Sequence, residues 1–456
     1  MFIGLDYGTS QCAVTAVTPD GVSAIPLDAG QPYLMSCLYA VERCLIGDFV
    51  AQTLSGPEQR QFMLSRQALL KQAGHFKREL QIDNSKSGVF FGSEALAQHI
   101  SDPAEGYFIK SPKSFLGASG LRADMVDFFE DVVTAMMMEI KQRAERHLQK
   151  SITGVVIGRP VNFQGIHAEA SNRQAQNILQ TSATRAGFQQ IEFLYEPLAA
   201  GFDFERRLQH NQKVLVVDIG GGTSDCSMVL MGPDHRIKSD RHGDFLAHTG
   251  ERIGGNDFDI RLALQALMPE FGVHSTLKTH LPMPVMPFVQ ATAINDVAAQ
   301  SEFYSEKMRL WLEQLFRDTA EPEKLQRFIQ MREGRRNFSL VNRAERAKIA
   351  LSDQAVTTVD LADFTAGLQV VIYQTQLAQA GAALLEKIKN LVQQVITQAQ
   401  TKPDLVYLTG GSAKSHLVKN ALTEFLGAET PLVDGDYFGS VVTGLGVWAQ
   451  KMGRDT

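Results

Sequence analysis

The stretch VLVVDIGGGTSDCSMV, residues 214–229, decides how this chain is read. Four apolar residues suited to a buried strand run into an acid, Asp218. Gly220, Gly221 and Gly222 follow, then Thr223, Ser224 and Asp225, before apolar residues resume. Packing alone gives no reason to end a core strand in a carboxylate and three residues without side chains. The chain opens the same way: FIGLDYGTSQCAV, residues 2–14, is an apolar strand, Asp6, Gly8, Thr9, Ser10, then apolar residues again. Each unit predicts a β-hairpin that turns at its glycines. The two copies lie roughly 210 residues apart, far beyond the 20–50-residue periods of solenoids, and predict two related halves facing each other.

Glycines in such a turn let main-chain N–H groups come close to a polyphosphate, and they accept the positive φ that tight turns need. The neighbouring Thr and Ser hydroxyls add donors. The acids do a different job, because a carboxylate aimed at bound phosphate repels it unless a cation intervenes. Magnesium, which prefers oxygen and keeps several of its waters, fits that place. Asp6 and Asp218 are therefore predicted to hold metal-bound water from opposite sides of a cleft. The helix-capping G-x-x-x-x-G-K-[ST] loop and the dinucleotide G-x-G-x-x-G pattern are both missing.

Composition sets bounds around this reading. A chain of 456 residues predicts two to four domains or lobes. A formal charge of −6 offers no electrostatic attraction for nucleic acid or an anionic membrane. The Met-Phe-Ile start leads straight into a strand with no secretion signal, and no apolar stretch approaches the roughly 20 residues of a membrane span. Cys12, Cys37, Cys44 and Cys226 show no C-x-x-C spacing, so neither zinc nor a disulfide framework is predicted. Cys12 and Cys226 read as small buried hydrophobes. A cytoplasmic location fits best.

Further along, residues 124–148 show helical spacing, and 153–163 read as a short strand stopped by Pro160. Residues 172–188 predict a helix ended by Gly187, and 193–205 a strand, a turn bearing Glu196 and Pro197, and a new helix. After a helix at 259–268, LPMPVMPF (281–288) reads as a pinned loop with apolar side chains for contact. Residues 301–353 predict charged helices interrupted at MREGRRNF, where Arg332, Arg335 and Arg336 read as a solvated face. A helix at 376–400 precedes a strand, Gly-Gly-Ser turn and helix over 403–422, and a small-residue-rich helix ends the chain. Taken singly, Lys113 reads as a surface cation and Glu196 as a turn residue.

With both hairpins, YEPLAAG, ERAKIALS and YLTGGSAKS in hand, the chain resembles the actin-like ATPase superfamily. Within it, the chain resembles the nucleotide-binding domain of DnaK-type, seventy-kilodalton heat-shock chaperones, and among these the YegD-like group of truncated relatives. The resemblance implies an α/β actin-like fold: two lobes of duplicated mixed β-sheets, flanked by helices, around a nucleotide cleft. Lobe I would take 1–212 with 434–456, and lobe II 213–433, enlarged over 256–344. It implies ATP or ADP with magnesium as ligands. Gly8, Thr9, Ser10 and Gln11 would form the first phosphate loop with Asp6 as its acid; Gly220, Gly221, Gly222 and Thr223 would form the second, with Asp218 as its acid and Asp225 beyond. Lys113 would be the catalytic lysine, and Glu196 would help hold the magnesium shell and attacking water. Glu345, Lys348 and Ser352, with Gly410, Gly411, Ser412 and Lys414, would serve the adenosine side.

The chain also departs from that pattern. Gln11 stands where the chaperones usually carry an aromatic, and Phe438 where they have an adenosine-side acid, with Asp434 and Asp436 nearby. After the final helix no linker or client-binding module is expected. The expected function is ATP binding with slow hydrolysis, chaperone-like, acting as a nucleotide-dependent conformational switch with a protein partner or co-chaperone. A small-molecule kinase of the same superfamily and an actin-like filament protein are the alternatives.

Overall fold

The computed structural model describes every residue except 19–20, 80–86, 104, 119, 164–167, 239–240, 436–438 and 454–456. The expectation about Phe438 and Asp436 therefore lies outside the described residues. The chain divides into two compact units: Met1–Arg252 with Asn390–Ala413 and Leu426–Thr456, and Ile253–Lys389 with Lys414–Phe425.

Unit 1 contains both acid–glycine stretches, each as a tight antiparallel hairpin. The first is β1 (Phe2–Tyr7) and β2 (Gln11–Thr18), continued by β3 (Gly21–Ala24); β4 (Tyr33–Met35) also pairs with β2. A small separate sheet holds β5 (Cys37–Ala40) between β6 (Val89–Phe91) and β7 (Tyr107–Lys110). The chain then returns to β1 with β8 (Gly154–Arg159) and β9 (Gln190–Tyr195), both parallel, giving the order β3-β2-β1-β8-β9. The second hairpin is β10 (Gln212–Ile219) and β11 (Ser224–Met231), followed by β12 (Phe245–Glu251). Unit 2 holds the two-stranded β13 (Val356–Asp360) and β14 (Gln369–Tyr373). Parallel β15 (Leu405–Thr409) and β16 (Leu432–Asp434) complete the order β12-β11-β10-β15-β16.

The two five-strand paths are the same path. In each, a three-strand meander is followed, after a long excursion, by two parallel strands on the far side of the acid-bearing strand. Parallel neighbours cannot be joined by a tight turn and need a crossover, which is where the helices come from. Helix Ala168–Arg185 links β8 to β9, and His416–Leu426 links β15 to β16. The duplicated mixed sheets expected from the sequence repeat are present.

The last helix, Ser440–Met452, belongs to unit 1 and is packed against the rest of it through glycines. A Cβ at Gly4 would lie 2.5 Å from Gly446 N, and one at Gly444 would overlap the Ala199 carbonyl oxygen. Thr15 donates its hydroxyl to Val442 O at 2.6 Å beside them. Small residues here are a packing requirement, because the neighbours are backbone and cannot rotate aside.

Unit 2 is mainly helical around an apolar core that includes Leu267, Phe271, Phe288, Phe303, Leu325 and Phe328. Three local expectations change. The 281–288 stretch is only partly loop, since Met286–Thr292 is a helix in which proline sits within the first turn, where its missing N–H costs nothing. Met283 and Phe288 are buried while Leu281, Val285, Met286 and Val289 stay exposed. Arg332 is not on a solvated face: it is buried and donates to Phe303 O at 2.8 Å and Ser305 O at 2.9 Å. In unit 1, no turn precedes Glu196; helix Glu196–Glu205 begins directly after β9. No described helix is long and apolar enough to cross a membrane.

Gly444→Ala is expected to destabilise unit 1 by overpacking, on the order of 1–3 kcal/mol or more. A thermal melt should lose at least about 2 °C, and an unchanged melting temperature would contradict the contact.

Candidate functional site

The hairpin turns are built for closeness, with no left-handed backbone. Gly8, Gly220, Gly221 and Gly222 all lie outside the positive-φ residues, contrary to one of the two reasons for expecting glycine there. Their hydrogens face other atoms instead. A Cβ on Gly221 would overlap Ser10 Oγ; one on Gly222 would meet Thr9 Cγ2 at 2.7 Å and Ser114 Oγ at 3.3 Å. The loops of the two hairpins, far apart in sequence, therefore touch within unit 1. Gly220 N donates to Thr223 O at 2.9 Å and closes the second turn. At the first, a Cβ on Gly8 would overlap Gln11 O, and the Gln11 side chain itself is exposed.

Behind these loops lies a buried charge cluster. Asp218 and Asp225 face each other across the β10–β11 ladder, and Glu196 opens its helix nearby. Glu196, Asp218, Asp225 and Lys113 are all buried, and Asp6 is partly so. Lys113 sits on a short 3-10 turn, Pro112–Phe115, behind Ser111, whose φ of 57° is left-handed. Its ammonium forms an ion pair with Glu196, which is not what a surface cation would do. Val161 N donates to Asp225 Oδ1 at 3.0 Å, just after Pro160 stops β8.

Four carboxylates share one ammonium, and the electrostatics follow. Burial, then the Glu196 charge, push Asp6 up to about 7 against the pull of Lys113. Burial and Glu196 likewise push Asp225 up to about 7, although Val161 N–H and the Thr223 hydroxyl favour its ionised form. Asp218 is driven well above the carboxylate range by burial and by Glu196, Asp225 and Asp6. Burial would lower Lys113, but Glu196 and Asp6 outweigh it and hold the ammonium charged.

Such a set fits a divalent cation. Its donors are hard oxygens, one ammonium faces several carboxylates, and hydroxyls on Thr409 and Ser111 are buried with no partner among the described residues. Among the described residues, no three His, Cys, Asp or Glu side chains come close enough to ligate a metal directly. The carboxylates could reach one only through water.

The remaining expected residues fall into two places. Gly410 and Ser412, with Gly411 between them in the chain, reach the cluster: Gly410 takes φ +82°, a Cβ there would overlap Asp218 Oδ1, and Ser412 Oγ donates to Gly220 O at 3.0 Å. Glu345, Lys348 and Ser352 lie in unit 2, spaced along one face of helix Asn337–Ala350 and its end. There Lys348 pairs with Asp259 at 2.7 Å and donates to Gly255 O at 3.0 Å, pinning the neighbouring helix start. Lys414 is exposed and also falls in unit 2. Val161, Ser114 and Thr409 were not picked out from sequence. Thr409 carried the one available signal, a polar residue ending a strand just before glycines.

The raised carboxylates have a sign. Between about pH 4 and pH 7 the folded protein holds protons that the unfolded chain releases, so these groups make stability fall as pH rises through that window. Asp6→Asn removes one of them. Its melting temperature should exceed wild type by a few degrees at pH 8 and match it near pH 4; a gain that is equal at both would refute the assignment.

Comparison with known proteins adds the lineage. The family model described as Hsp70 protein matches residues 121–285 and 289–436. The chain is similar to Chaperone protein dnaK3 of Synechococcus elongatus, 26% identical over 309 residues, 66% of this chain and 32% of that one. Chaperone protein DnaK of Trichormus variabilis is 25% identical over 315 residues, 66% of this chain and 36% of its own length. The chain thus aligns with about a third of the length of these relatives. Heat shock 70 kDa protein 13 of Rattus norvegicus is 24% identical over 476 aligned positions, 98% of this chain and 87% of its own length. The family match takes in well over half of the residues and the second acid–glycine hairpin, while the repeated sheet supplies the first: the chain belongs to the Hsp70 protein family and has an actin-like ATPase fold.

Proposed function

We propose that the chain binds ATP with magnesium at the paired hairpins and hydrolyses it slowly, as a chaperone-like conformational switch. The observation that carries this reading is the contact of Gly221 and Gly222 with Ser10 and Thr9, beside buried Asp218, Asp225, Glu196 and Lys113. Two backbone turns meeting at one point offer N–H donors to a polyphosphate from both sides, with the Thr9, Ser10 and Thr223 hydroxyls beside them.

Phosphoryl transfer to water needs positioning and charge relief more than covalent chemistry. Lys113 provides a positive charge that stays protonated at neutral pH, and the Glu196 pair takes only one of its three N–H donors. Asp225, held by Val161 N–H, together with Glu196 and Asp218 can orient a water. None of them is assigned as sole base. Magnesium, when bound, supplies positive charge at the phosphates and waters for Asp6 and Asp218 to hold. Glu345, Lys348 and Ser352, with Gly410, Gly411, Ser412 and Lys414, are proposed for the adenosine side.

The two lobes expected from sequence, 1–212 with 434–456 and 213–433, are the bodies proposed to open and close, signalling to a protein partner. Grouping with the YegD-like relatives belongs to the same reading, as does a cytoplasmic location, for which the four free, buried cysteines are the support.

Calorimetric titration with ATP and magnesium tests the proposal. Wild type should bind, Gly221→Asp should lose measurable binding, and Lys113→Ala should keep binding while single-turnover hydrolysis falls by about 100-fold or more. No heat from wild type, or undiminished binding by Gly221→Asp, would defeat it.

A further inference from the structure

Thr409 closes β15, and its place in the ladder is what makes it stand out. In the β10–β15 register Asp218 lies opposite Thr409, and in the β10–β11 register Asp218 lies opposite Asp225. Residues directly opposite each other share a face of the sheet. Asp225, Asp218 and Thr409 therefore form one polar row across three strands. It lies on the face whose deeper positions, Val214, Val216, Leu405 and Tyr407, pack with Leu198 and Ala199 of the helix that Glu196 opens.

The row ends at the mouth of the glycine turns. The peptide after Thr409 lies against the Asp218 carboxylate, since a Cβ on Gly410 would overlap Asp218 Oδ1. Thr409 is 1% exposed, and its hydroxyl has no hydrogen-bond partner among the described residues. Buried polar atoms nearly always find a partner, and an orphan calls for a water, an ion or a functional reason. At the end of a row of carboxylates that Lys113 cannot neutralise, a hydroxyl that can both donate and accept has an obvious one.

We propose that Thr409 is a positioning residue for a hydrated divalent cation, its hydroxyl bonding the water that Asp218 holds toward the metal. This rests on the reading of the hairpins as a magnesium–nucleotide site. Ser227 provides an internal control. Its hydroxyl is also buried and has no partner among the described residues, and Ser227 is on the same face, but one pleat deeper, opposite Val216.

Thr409→Val keeps the shape and removes the hydroxyl. The measurements are thermal melts of nucleotide-free protein across a magnesium chloride titration, and ATP calorimetry in magnesium or in EDTA. In EDTA the variant should melt no lower than wild type and bind ATP equally. In magnesium it should need about tenfold more cation for the same thermal shift. Thr409→Ser should restore the wild-type midpoint and Ser227→Ala should leave it unmoved. An unchanged midpoint in Thr409→Val, an equal change in Ser227→Ala, or a variant that melts lower in EDTA would overturn the inference. If wild type itself shows no magnesium-dependent shift and no ATP heat, the site reading fails and takes this inference with it; a normal wild type beside an unaffected variant sinks this inference alone.

Discussion

Burying several carboxylates against a single ammonium is the constraint on which the rest of this structure depends. Asp218, Asp225 and Glu196 lie at 7%, 1% and 7% exposure with Asp6 beside them, and among the described residues Lys113 is the buried cation paired with this group. A charge taken out of water is costly unless it is paired or shared with a metal. The fold softens that cost with fixed dipoles. Val161 N–H points at Asp225, and Glu196 occupies the first turn of its helix, where unpaired N–H groups favour negative charge. What these leave uncompensated is charge that a hydrated cation can offset, so the arrangement makes most sense as half of a complex.

The duplicated sheet explains how such a cluster can be assembled at all. Each acid ends the strand that has an antiparallel hairpin partner on one side and a parallel strand on the other, so the strand is central and its terminus is fixed from both sides. Repeating that unit gives two rigid strand ends, each with a glycine turn of its own. The turns can then approach backbone to side chain, as Gly221 does with Ser10 and Gly222 with Thr9. Small residues serve the same end around the Ser440–Met452 helix, where Gly444 lets it lie directly on Ala199, Gly446 on Thr15 and Val22, and Gly4 brings β1 against it.

What was legible in the sequence follows from range. The hairpins, the repeated sheet and the acids could be read because an acid and glycines at the end of an apolar strand violate a local packing rule, twice. The reason for the glycines was only half legible: a positive φ does not matter, while Gly221 and Gly222 face the opposite loop, which no single stretch of sequence contains. Lys113 illustrates the same limit. Nothing within its own segment buries it; its partner Glu196 is 83 residues away, and only the motif series marked it. Arg332 departs from the solvated face its sequence context predicts because its acceptors are the carbonyls of Phe303 and Ser305, well outside its own helix. Proline spacing suggested a loop at 281–288, yet proline in a first helical turn is compatible with the Met286–Thr292 helix.

Lineage and geometry contribute different halves of the functional argument. The family match begins at residue 121, so it includes the second hairpin, Glu196 and Asp225 but neither the first hairpin nor Lys113. The rat relative aligns over 98% of this chain, and the physical structure gives these residues their place: β1–β2 repeats the topology of β10–β11, its loop touches the second loop, and Lys113 pairs with Glu196 across the cluster. A vestigial first hairpin would have no reason to keep Ser10 and Thr9 packed on Gly221 and Gly222, or to keep a partly buried acid at the position equivalent to Asp218. Keeping Asp6 and Asp225 beside Glu196 and one lysine is destabilising at neutral pH, because burial and the Glu196 charge push both up to about 7. A stability cost concentrated in one place, of the kind a bound cation can offset, is the pattern expected where function and not folding selects the residues.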